Sequence, residues 1–358
     1  MMRWSHCRQG RAQPSGFERA LEILSRSLVG HRYFGPPTTS STLRVVLSEG
    51  EIVVPVDLAD LHDKYSGEAG RLWIAGLPAM AATYMDRWEL LGDGQVASGA
   101  VALIIPVARR DGSKAVLKLQ PVDDETGGEP AALRAWAGRG AVRLLEHDSS
   151  SGAMLLEKLD ASRDLNTMED DLAAAQIIAE LLLQLNSVAA PTAMRRLSDV
   201  AEATLAETPE AIRLVEDPDE GQLLINCAAR FEELITDRLD NWLLHWDLHY
   251  FNTLSTLDGT QQWKAIDPKP LSGDPGFELL PALWNRWDDL VETGDVGRAL
   301  LRRFDLMTEV LGLDRPRAAG WTLGRVLQVA VWDLVRFNEG HIDPSHRTIA
   351  EVLIEARQ

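Results

Sequence analysis

The sequence predicts an α+β protein with a small strand-rich part followed by a larger, mostly helical part. Two observations support this prediction. Short apolar runs of strand length, separated by turn residues, follow one another between residues 100 and 157. After Leu159, long segments with the apolar spacing of helices dominate. With 358 residues, of which 45% are hydrophobic, the chain is long enough for two lobes with ordinary cores.

Three segments are predicted along the chain. Residues 1–50 form an N-terminal extension, because six arginines stand against two glutamates in the first 40 residues and no apolar core of a secretory signal is present. We expect this extension to be disordered or to come from a start codon placed too far upstream. Residues 51–159 form an N-lobe with a helical lead-in, an antiparallel sheet, a short helix and a hinge. Residues 160–358 form a helical C-lobe that carries the catalytic loop and the substrate site.

The elements of the N-lobe follow from turn and helix-start signals. Residues 100–107 and 115–120 read as two strands joined by an Arg-Asp-Gly-Ser turn, so they should pair antiparallel. A glycine pair precedes a short helix at residues 129–137, where Pro130 lies in the first turn and its missing N–H costs nothing. Two further short strands are predicted at residues 142–146 and 153–157.

The C-lobe is predicted from helical periodicity. The helix candidates are residues 169–187, 198–206, 221–240, 276–291, 296–311 and 321–338. A strand hairpin interrupts them at residues 253–257 and 261–266, around an Asp-Gly turn. No apolar run reaches the roughly 18 to 20 residues that span a bilayer.

Charge and cysteine content limit the classes of partner. The net charge of -18 argues against a nucleic-acid binder or a polybasic membrane attachment, both of which need clustered positive charge, and it favours cationic small molecules. The two cysteines are far apart in sequence, so no disulfide framework or zinc site is predicted. We expect a cytoplasmic protein that is a monomer or a weak dimer.

The stretch HWDLHYFN, residues 245–252, is the strongest chemical signal in the sequence. It follows an apolar strand and precedes the hairpin, and the second arm of that hairpin ends at Asp267. Folding the hairpin back brings Asp247, Asn252 and Asp267 together, and their oxygens are hard ligands of the kind that Mg²⁺ takes. The spacing of Asp247 and Asn252 is also that of the kinase catalytic loop, H-x-D-x-x-x-x-N. The alternative is a polar loop whose side chains only make turns and caps.

A kinase also needs a cation for the nucleotide phosphates. Lys118 lies on the second predicted strand, where it would otherwise face water. Glu129, at the start of the next helix, is our candidate for the carboxylate that pairs with it. Its rivals on the intervening loop are Asp123, Asp124 and Glu125.

The nucleotide loop and the hinge are weakly marked. Ser98 and Gly99 are the candidates for a phosphate-covering turn, although neither Gly-x-Gly-x-x-Gly nor a Walker A lysine motif is present. Glu157 lies in a predicted hinge, residues 155–159, whose backbone could pair with adenine.

Several segments closely resemble one enzyme family. VLKLQPVDDETGGEPAALRAWAGRGAVRLLEHD, LLEKLD, LLHWDLHYFNTL and AIDPKPLSGDPGFELLPALWNRWDDL resemble the aminoglycoside phosphotransferases, in particular their streptomycin 6-phosphotransferase and hydroxyurea phosphotransferase branch. The resemblance covers roughly residues 51 to 340. It implies a two-lobed protein-kinase-like fold and ATP-dependent transfer to a hydroxyl of a small antibiotic. By the same motif match, Asp247 is the catalytic aspartate, Asn252 and Asp267 hold Mg²⁺, and Lys118 binds the nucleotide.

Departures from related kinases point to an unregulated small-molecule enzyme. Most aminoglycoside kinases have glycine where this chain has Trp246, and regulated protein kinases have arginine there to bind an activation-loop phosphate. Pro268-Lys269-Pro270 replaces Phe-Gly after Asp267, and two prolines would impede a flip of this loop. We therefore expect no control by phosphorylation.

The substrate is predicted from an excess of acids in the C-lobe. The acids between residues 274 and 309 are Asp274, Glu278, Asp288, Asp289, Glu292, Asp295, Asp305 and Glu309. They could bind the guanidinium groups of streptomycin, and Asp288 and Asp289 are our candidates, although solvated helix faces explain any single one equally well. The resemblance to the streptomycin 6-phosphotransferase branch implies phosphorylation of streptomycin at the 6-position, which is our first hypothesis. A kinase of hydroxyurea or another metabolite is the second, and a silent nucleotide-binding module is the third.

Overall fold

The computed structural model describes residues 52–99, 101–236, 241–260, 262–337 and 340–356. The predicted extension at residues 1–50 therefore lies outside the described residues. Within them the molecule is mixed α+β, with a sheet-rich N-terminal part and a mostly helical C-terminal part, which confirms the predicted fold class. The boundary after Leu159 stays a prediction, and the last strand of the N-terminal sheet ends just before it, at Glu157.

The N-lobe is built on a six-stranded sheet. Its strands are β1 (Leu91–Gly92), β2 (Ala97–Ser98), β3 (Leu103–Ala108), β4 (Lys114–Leu119), β5 (Leu144–His147) and β6 (Met154–Glu157). They are ordered β1-β3-β4-β6-β5, and β2 pairs with β3 beyond the end of β1. The predicted antiparallel pairing of β3 and β4 is confirmed, with Ile104 opposite Lys118. Alternation along β3 buries Leu103 and Ile105 in the core of this lobe, as a period of two requires.

Two helices flank this sheet. Helix α1 (Val56–Arg87) buries Leu77 and Tyr84 in the same core as the strands, and helix α2 (Glu129–Trp136) begins where the predicted glycine pair ends. A Cβ on Gly128 would lie 3.0 Å from Cγ of Pro270, so a larger residue there would press the start of α2 against the C-lobe.

The C-lobe helices surround a second, larger core. They are α3 (Asp171–Leu185), α4 (Leu197–Leu214), α5 (Pro218–Ile235), α6 (Leu280–Leu283), α7 (Trp287–Glu292), α8 (Val296–Leu311), α9 (Arg315–Phe337) and α10 (Pro344–Glu355). The end predicted at residue 206 is wrong, because α4 continues past Pro209, and α10 was not predicted. Within the described residues, no helix has both the length and the apolar character needed to cross a membrane.

The single helix predicted over residues 276–291 is also wrong. A 3₁₀ turn (Pro275–Glu278), α6 and α7 replace it, because Arg286 adopts a left-handed backbone with φ of 49° and interrupts the α-helix. This break has a structural consequence for the catalytic loop. Asn285, just before it, accepts a hydrogen bond from the backbone amide of Tyr250 at 3.2 Å.

Short strands hold the motif loop in place. They are β7 (Asp160–Asp164), β8 (Trp242–Leu244), β9 (Thr253–Ser255), β10 (Trp263–Ala265) and β11 (Leu271–Gly273). The predicted hairpin is confirmed as the β9–β10 pair. Strand β11 pairs with β8, with Leu271 opposite Leu244. The loop after β8 and the segment between β10 and β11 therefore lie side by side.

Candidate active site

The loop at residues 245–252 is held in an unusual backbone conformation. Trp246 has φ of 68°, and Asp267 on the facing segment has φ of 56°. Left-handed backbone at residues other than glycine costs on the order of 1 to 3 kcal/mol each and is concentrated at functional sites. The packing around Trp246 offsets this cost, since the guanidinium groups of Arg195 and Arg325 lie 4.3 and 4.6 Å from the centre of its ring.

His245 joins the two segments of the site. Its ring accepts the backbone N–H of Asp247 at Nδ1 (3.3 Å), and Nε2 lies 3.0 Å from the carbonyl oxygen of Ile266, to which it donates in this tautomer. Burial lowers the pKa of His245 to about 4, so the ring is neutral at pH 7. His245 is therefore a neutral ring that ties the two segments together by hydrogen bonds.

The structure brings Asp247, Asn252 and Asp267 to one end of the hairpin, as the motif predicts. The side-chain amide nitrogen of Asn252 donates to the backbone carbonyl oxygen of Asp247 at 3.0 Å. The backbone carbonyl oxygen of Asn252 accepts the backbone N–H of Ile266 at 2.9 Å. Because its nitrogen is used in this way, Asn252 has its amide oxygen left for a metal ion.

The donor set of Asn252 and Asp267 fits Mg²⁺. The described residues contain no group of three or more His, Cys, Asp or Glu side chains that could hold a metal by themselves. Mg²⁺ in phosphoryl-transfer enzymes is usually held by one or two protein ligands, with substrate phosphates and water completing its shell. One carboxylate and one amide oxygen are sufficient for that kind of site.

Asp247 is paired with a lysine that the sequence analysis did not assign. Nζ of Lys269 lies 2.9 Å from Oδ2 of Asp247, and 9% of the Asp247 side chain is exposed. Burial alone would raise the pKa of Asp247, but the positive charge of Lys269 outweighs it and holds the pKa well below the ordinary range. Asp247 is therefore a carboxylate throughout the physiological range.

Lys118 bridges the two lobes. Its Nζ donates to both carboxylate oxygens of Glu129 at 2.8 Å and to Oδ1 of Asp267 at 2.5 Å. Burial would lower the pKa of Lys118, but the carboxylates of Asp267 and Glu129 outweigh this effect and raise it. The predicted partner Glu129 is thus the one in contact, while its rival Asp123 accepts backbone amides within its own loop and Glu125 lies 3.9 Å from Arg195.

The predicted nucleotide-loop and hinge residues have local roles. Ser98 donates its hydroxyl to Asp57 in the first turn of α1 at 3.1 Å, and the amide of Gly99 closes a turn onto the carbonyl of Ala102 at 2.8 Å. This turn joins β2 to β3, next to the strand that carries Lys118. Glu157 pairs through its side chain with Lys264, and its backbone amide donates to Arg143 at 3.0 Å, so that amide is not available to adenine.

The predicted substrate carboxylates lie on α7, and among the described residues neither forms a hydrogen bond or ion pair with the loop at residues 245–252. Asp288 is exposed in the first turn of α7, and Asp289 is paired with Arg286. The connection to the loop is made just before them, where the ring centres of Trp284 and His249 are 6.1 Å apart. Two of the acids counted toward the substrate site are buried instead. Asp274 is paired with Arg317 at 3.0 Å, and Glu278 lies under the catalytic loop.

Glu278 is the anchoring residue that sequence reasoning missed. Its Oε1 accepts the backbone N–H of Trp246 at 2.8 Å and so supports the left-handed turn before Asp247. Burial raises the pKa of Glu278 to about 8, with the negative charge of Asp247 acting in the same direction and Arg325 opposing it. In the sequence it is one acid among several, and nothing short of the fold separates it from them.

Replacing Glu278 by glutamine is expected to change how stability depends on pH. A group whose pKa is raised in the folded state stabilises the fold below its unfolded pKa, and this contribution is lost as the pH rises toward about 8. The free energy of unfolding of the wild type, minus that of Glu278→Gln, should therefore grow as the pH falls, by up to about 1.4 kcal/mol per unit. Urea unfolding at about pH 5 and about pH 8 measures this difference. A difference that does not change with pH would contradict the assignment.

Comparisons with known proteins give a matching family model and several similar proteins. The model of the aminoglycoside/hydroxyurea antibiotic resistance kinase family matches residues 87–335. A streptomycin 6-kinase from Streptomyces glaucescens is 50% identical over 302 residues, which cover 84% of this chain and 97% of that protein. A hydroxyurea phosphotransferase from Kitasatospora aureofaciens is 47% identical over 305 residues, covering 85% of this chain and 86% of that protein.

Solved structures bear on the fold. The crystal structure of a choline/ethanolamine kinase family protein from Mesorhizobium loti aligns with a TM-score of 0.50 at 14% identity, covering 78% of this chain and 94% of that one. At this level of identity the likeness shows the fold alone. The two-lobed kinase-like architecture expected from the sequence is thereby confirmed.

Proposed function

Since this chain belongs to the aminoglycoside/hydroxyurea antibiotic resistance kinase family, we propose that it transfers a phosphoryl group from ATP to a hydroxyl of streptomycin, at the 6-position. The observation that carries the proposal is the 50% identity to a streptomycin 6-kinase over nearly the whole length of that enzyme. The paired charges Lys118–Glu129 and Lys269–Asp247 supply the cation and the carboxylate that phosphoryl transfer requires.

In the proposed mechanism Lys118 binds and neutralises phosphate oxygens of ATP. Its position is fixed by Glu129, so the ammonium would stay oriented even with Asp267 serving as a metal ligand. Asn252 and Asp267 would hold Mg²⁺, which would supply positive charge opposite the phosphates of ATP. The acceptor hydroxyl then lies in line with the γ-phosphorus, and Asp247 orients it.

Asp247 accepts the hydroxyl proton late in the reaction. Because Lys269 lowers the pKa of Asp247, the carboxylate is a weak base toward an alcohol at the start. The transition state of phosphoryl transfer is loose, so the alcohol becomes acidic only as its bond to phosphorus forms. The chief early contribution of Asp247 is therefore to orient the hydroxyl.

Acidic side chains near the catalytic loop would bind the cationic groups of streptomycin. Asp288 is exposed and free of the ion pair that occupies Asp289. Replacing Asp288 by asparagine should raise KM for streptomycin by up to about tenfold, the scale of one charged hydrogen bond. The KM for ATP, whose phosphates Lys118 binds in the proposed mechanism, is the matched control and should not change. Steady-state kinetics with streptomycin and ATP varied in turn measures the two effects, and equal changes would remove Asp288 from the streptomycin site.

Hydroxyurea is the second candidate acceptor. A hydroxyurea phosphotransferase is 47% identical to this chain, only slightly less than the streptomycin kinase. Hydroxyurea also has a hydroxyl that Asp247 could orient, and the same site chemistry would serve. The two acceptors must therefore be compared directly.

The experiment is the release of ADP from ATP by the purified protein with Mg²⁺ and each of four acceptor conditions. These are streptomycin, a 2-deoxystreptamine aminoglycoside, hydroxyurea and no acceptor. Stimulation by streptomycin alone is the expected result. Stimulation by hydroxyurea alone would move the function to the second candidate, and ATP binding without turnover would favour a silent nucleotide-binding module.

Three further features belong to this proposal. We place the reaction in the cytoplasm, where ATP is available. The negative charge of the chain leaves nucleic acids and anionic membranes outside its partners. A monomer or weak dimer is sufficient, because every residue assigned to the site comes from one chain.

A further inference from the structure

Lys269 is a second lysine at the active site, and neither the nucleotide nor the metal ligands account for it. Its Nζ lies 2.9 Å from Oδ2 of Asp247, and 12% of its side chain is exposed. A lysine buried to this extent is retained only where a carboxylate compensates its charge. That carboxylate is the one that the proposed mechanism places on the acceptor hydroxyl.

The backbone of Lys269 is fixed from both sides. Its amide donates to the carbonyl oxygen of His245 at 3.1 Å, which ties it to the start of the catalytic loop. Pro268 and Pro270 restrict φ before and after it, and Pro270 packs against Gly128 at the start of α2. The side chain therefore reaches Asp247 from a backbone that has little freedom to move.

The contact between Lys269 and Asp247 involves one of the two carboxylate oxygens of Asp247. Oδ2 is taken by Lys269, and the backbone amide of Asp247 is held by His245. Among the described residues, no hydrogen bond to Oδ1 of Asp247 is present. Because the backbone amide and Oδ2 of Asp247 are both fixed, its carboxylate cannot rotate freely. Oδ1 is then the oxygen that can accept a hydrogen bond from the acceptor hydroxyl.

We propose that Lys269 is a positioning residue, which holds Oδ2 of Asp247 so that Oδ1 faces the acceptor hydroxyl. The two buried lysines then have separate tasks. Lys118 comes from β4 and serves the nucleotide together with Glu129, whereas Lys269 acts through Asp247 on the acceptor side. The inference rests on the proposed kinase function and adds a residue to it.

A double-mutant cycle of Lys269→Met and Asp247→Ala tests whether Lys269 acts through Asp247. Lys269→Met should lower kcat on streptomycin by about 10²-fold, the cost of a reacting group displaced by about 1 Å. The KM for ATP should stay within about threefold, because the nucleotide is held by Lys118. In the Asp247→Ala background the same change should alter kcat by less than about threefold, since the group being positioned is gone. Lys269→Arg, which keeps the charge, should recover part of the activity.

The contrary results are equally specific. If Lys269→Met lowers kcat as much in the Asp247→Ala background as in the wild type, Lys269 contacts the transferring phosphoryl group directly and the proposal fails. A rise in KM for ATP with kcat unchanged would assign Lys269 to the nucleotide and would overturn it as well. If Lys269→Met alone does not fold, the kcat of Asp247→Ala is compared with that of the double variant, in which both charges are removed together. A change of less than about threefold between these two supports the proposal, and a loss of about 10²-fold overturns it.

The proposed function and this inference can fail separately. The cycle is also measured on ATP hydrolysis without an added acceptor, in which the phosphoryl group goes to water and ADP is released. Asp247 would orient that water molecule in the same way. Absence of streptomycin turnover by the wild type contradicts the proposed acceptor but leaves this second reading in place. Streptomycin turnover with independent effects of the two substitutions contradicts the role of Lys269 alone.

Discussion

Asp247→Ala should lower turnover with the acceptor by about 10² to 10⁴-fold, the range of a general-base and orienting group. Asp247 lies at the end of β8, with its amide fixed by His245 and one carboxylate oxygen fixed by Lys269. Asp247 is the one carboxylate among residues 245–252, all of which the structure describes, so no neighbour on this loop replaces it in the variant. Steady-state kinetics with ATP and streptomycin measures the loss.

Asp258→Ala is the matched control for this result. Asp258 lies in the turn of the same hairpin, where it accepts hydrogen bonds from Thr256 and Thr260 at the surface. Its removal should leave kcat within about twofold, since surface substitutions usually change stability by no more than about 0.5 kcal/mol. Equal losses in the two variants would mean that the hairpin fold, and not the chemistry of Asp247, is responsible.

Lys118→Met is the second substitution with a large expected effect, and it should affect both stability and turnover. Lys118 compensates Glu129 and Asp267, and Glu129 is almost completely buried. Breaking a buried ion pair by removing one partner costs about 3 to 5 kcal/mol, because a buried charge is left uncompensated. Turnover should fall as well, since the phosphate oxygens of ATP lose their cation.

A second substitution separates these two effects. Lys118→Met combined with Glu129→Gln removes both charges of the pair, so the free energy of unfolding should recover while turnover stays low. Lys114→Met, on the same strand as Lys118, breaks an exposed pair with Asp93; it is the control and should cost no more than about 1 kcal/mol. Recovery of turnover in the double variant would show that Lys118 is structural only.

The sequence predicts the parts of the fold in which local signals agree with one another. The β3–β4 hairpin has strand periodicity on both sides of an Asp-Gly turn, and it is observed within two or three residues of the predicted ends. The β9–β10 hairpin follows the same logic, and it sets the relative positions of Asn252 and Asp267. The spacing of the motif was therefore enough to place those two side chains at one end of a hairpin.

Other features depend on contacts between distant parts of the chain. Residues 276–291 have helical periodicity throughout, but a 3₁₀ turn begins the segment and the left-handed backbone of Arg286 separates its two short helices. Glu278 has the composition of a surface acid but is buried under Trp246, 32 residues away in sequence. Lys269 was noted as part of a proline-flanked replacement, yet its contact with Asp247 appears only when β11 pairs with β8. Such contacts leave no local pattern to read.

The position of the phosphoryl group on the product tests the central claim most directly. The measurement is mass spectrometry and phosphorus NMR of streptomycin after incubation with ATP, Mg²⁺ and the wild-type protein, with Asp247→Ala in parallel. We predict a single added phosphoryl group at the 6-position with the wild type and, after the same short incubation, about 10² to 10⁴-fold less phosphorylated streptomycin with the variant. Unmodified streptomycin in both reactions, or equal phosphorylation in both, would contradict the account.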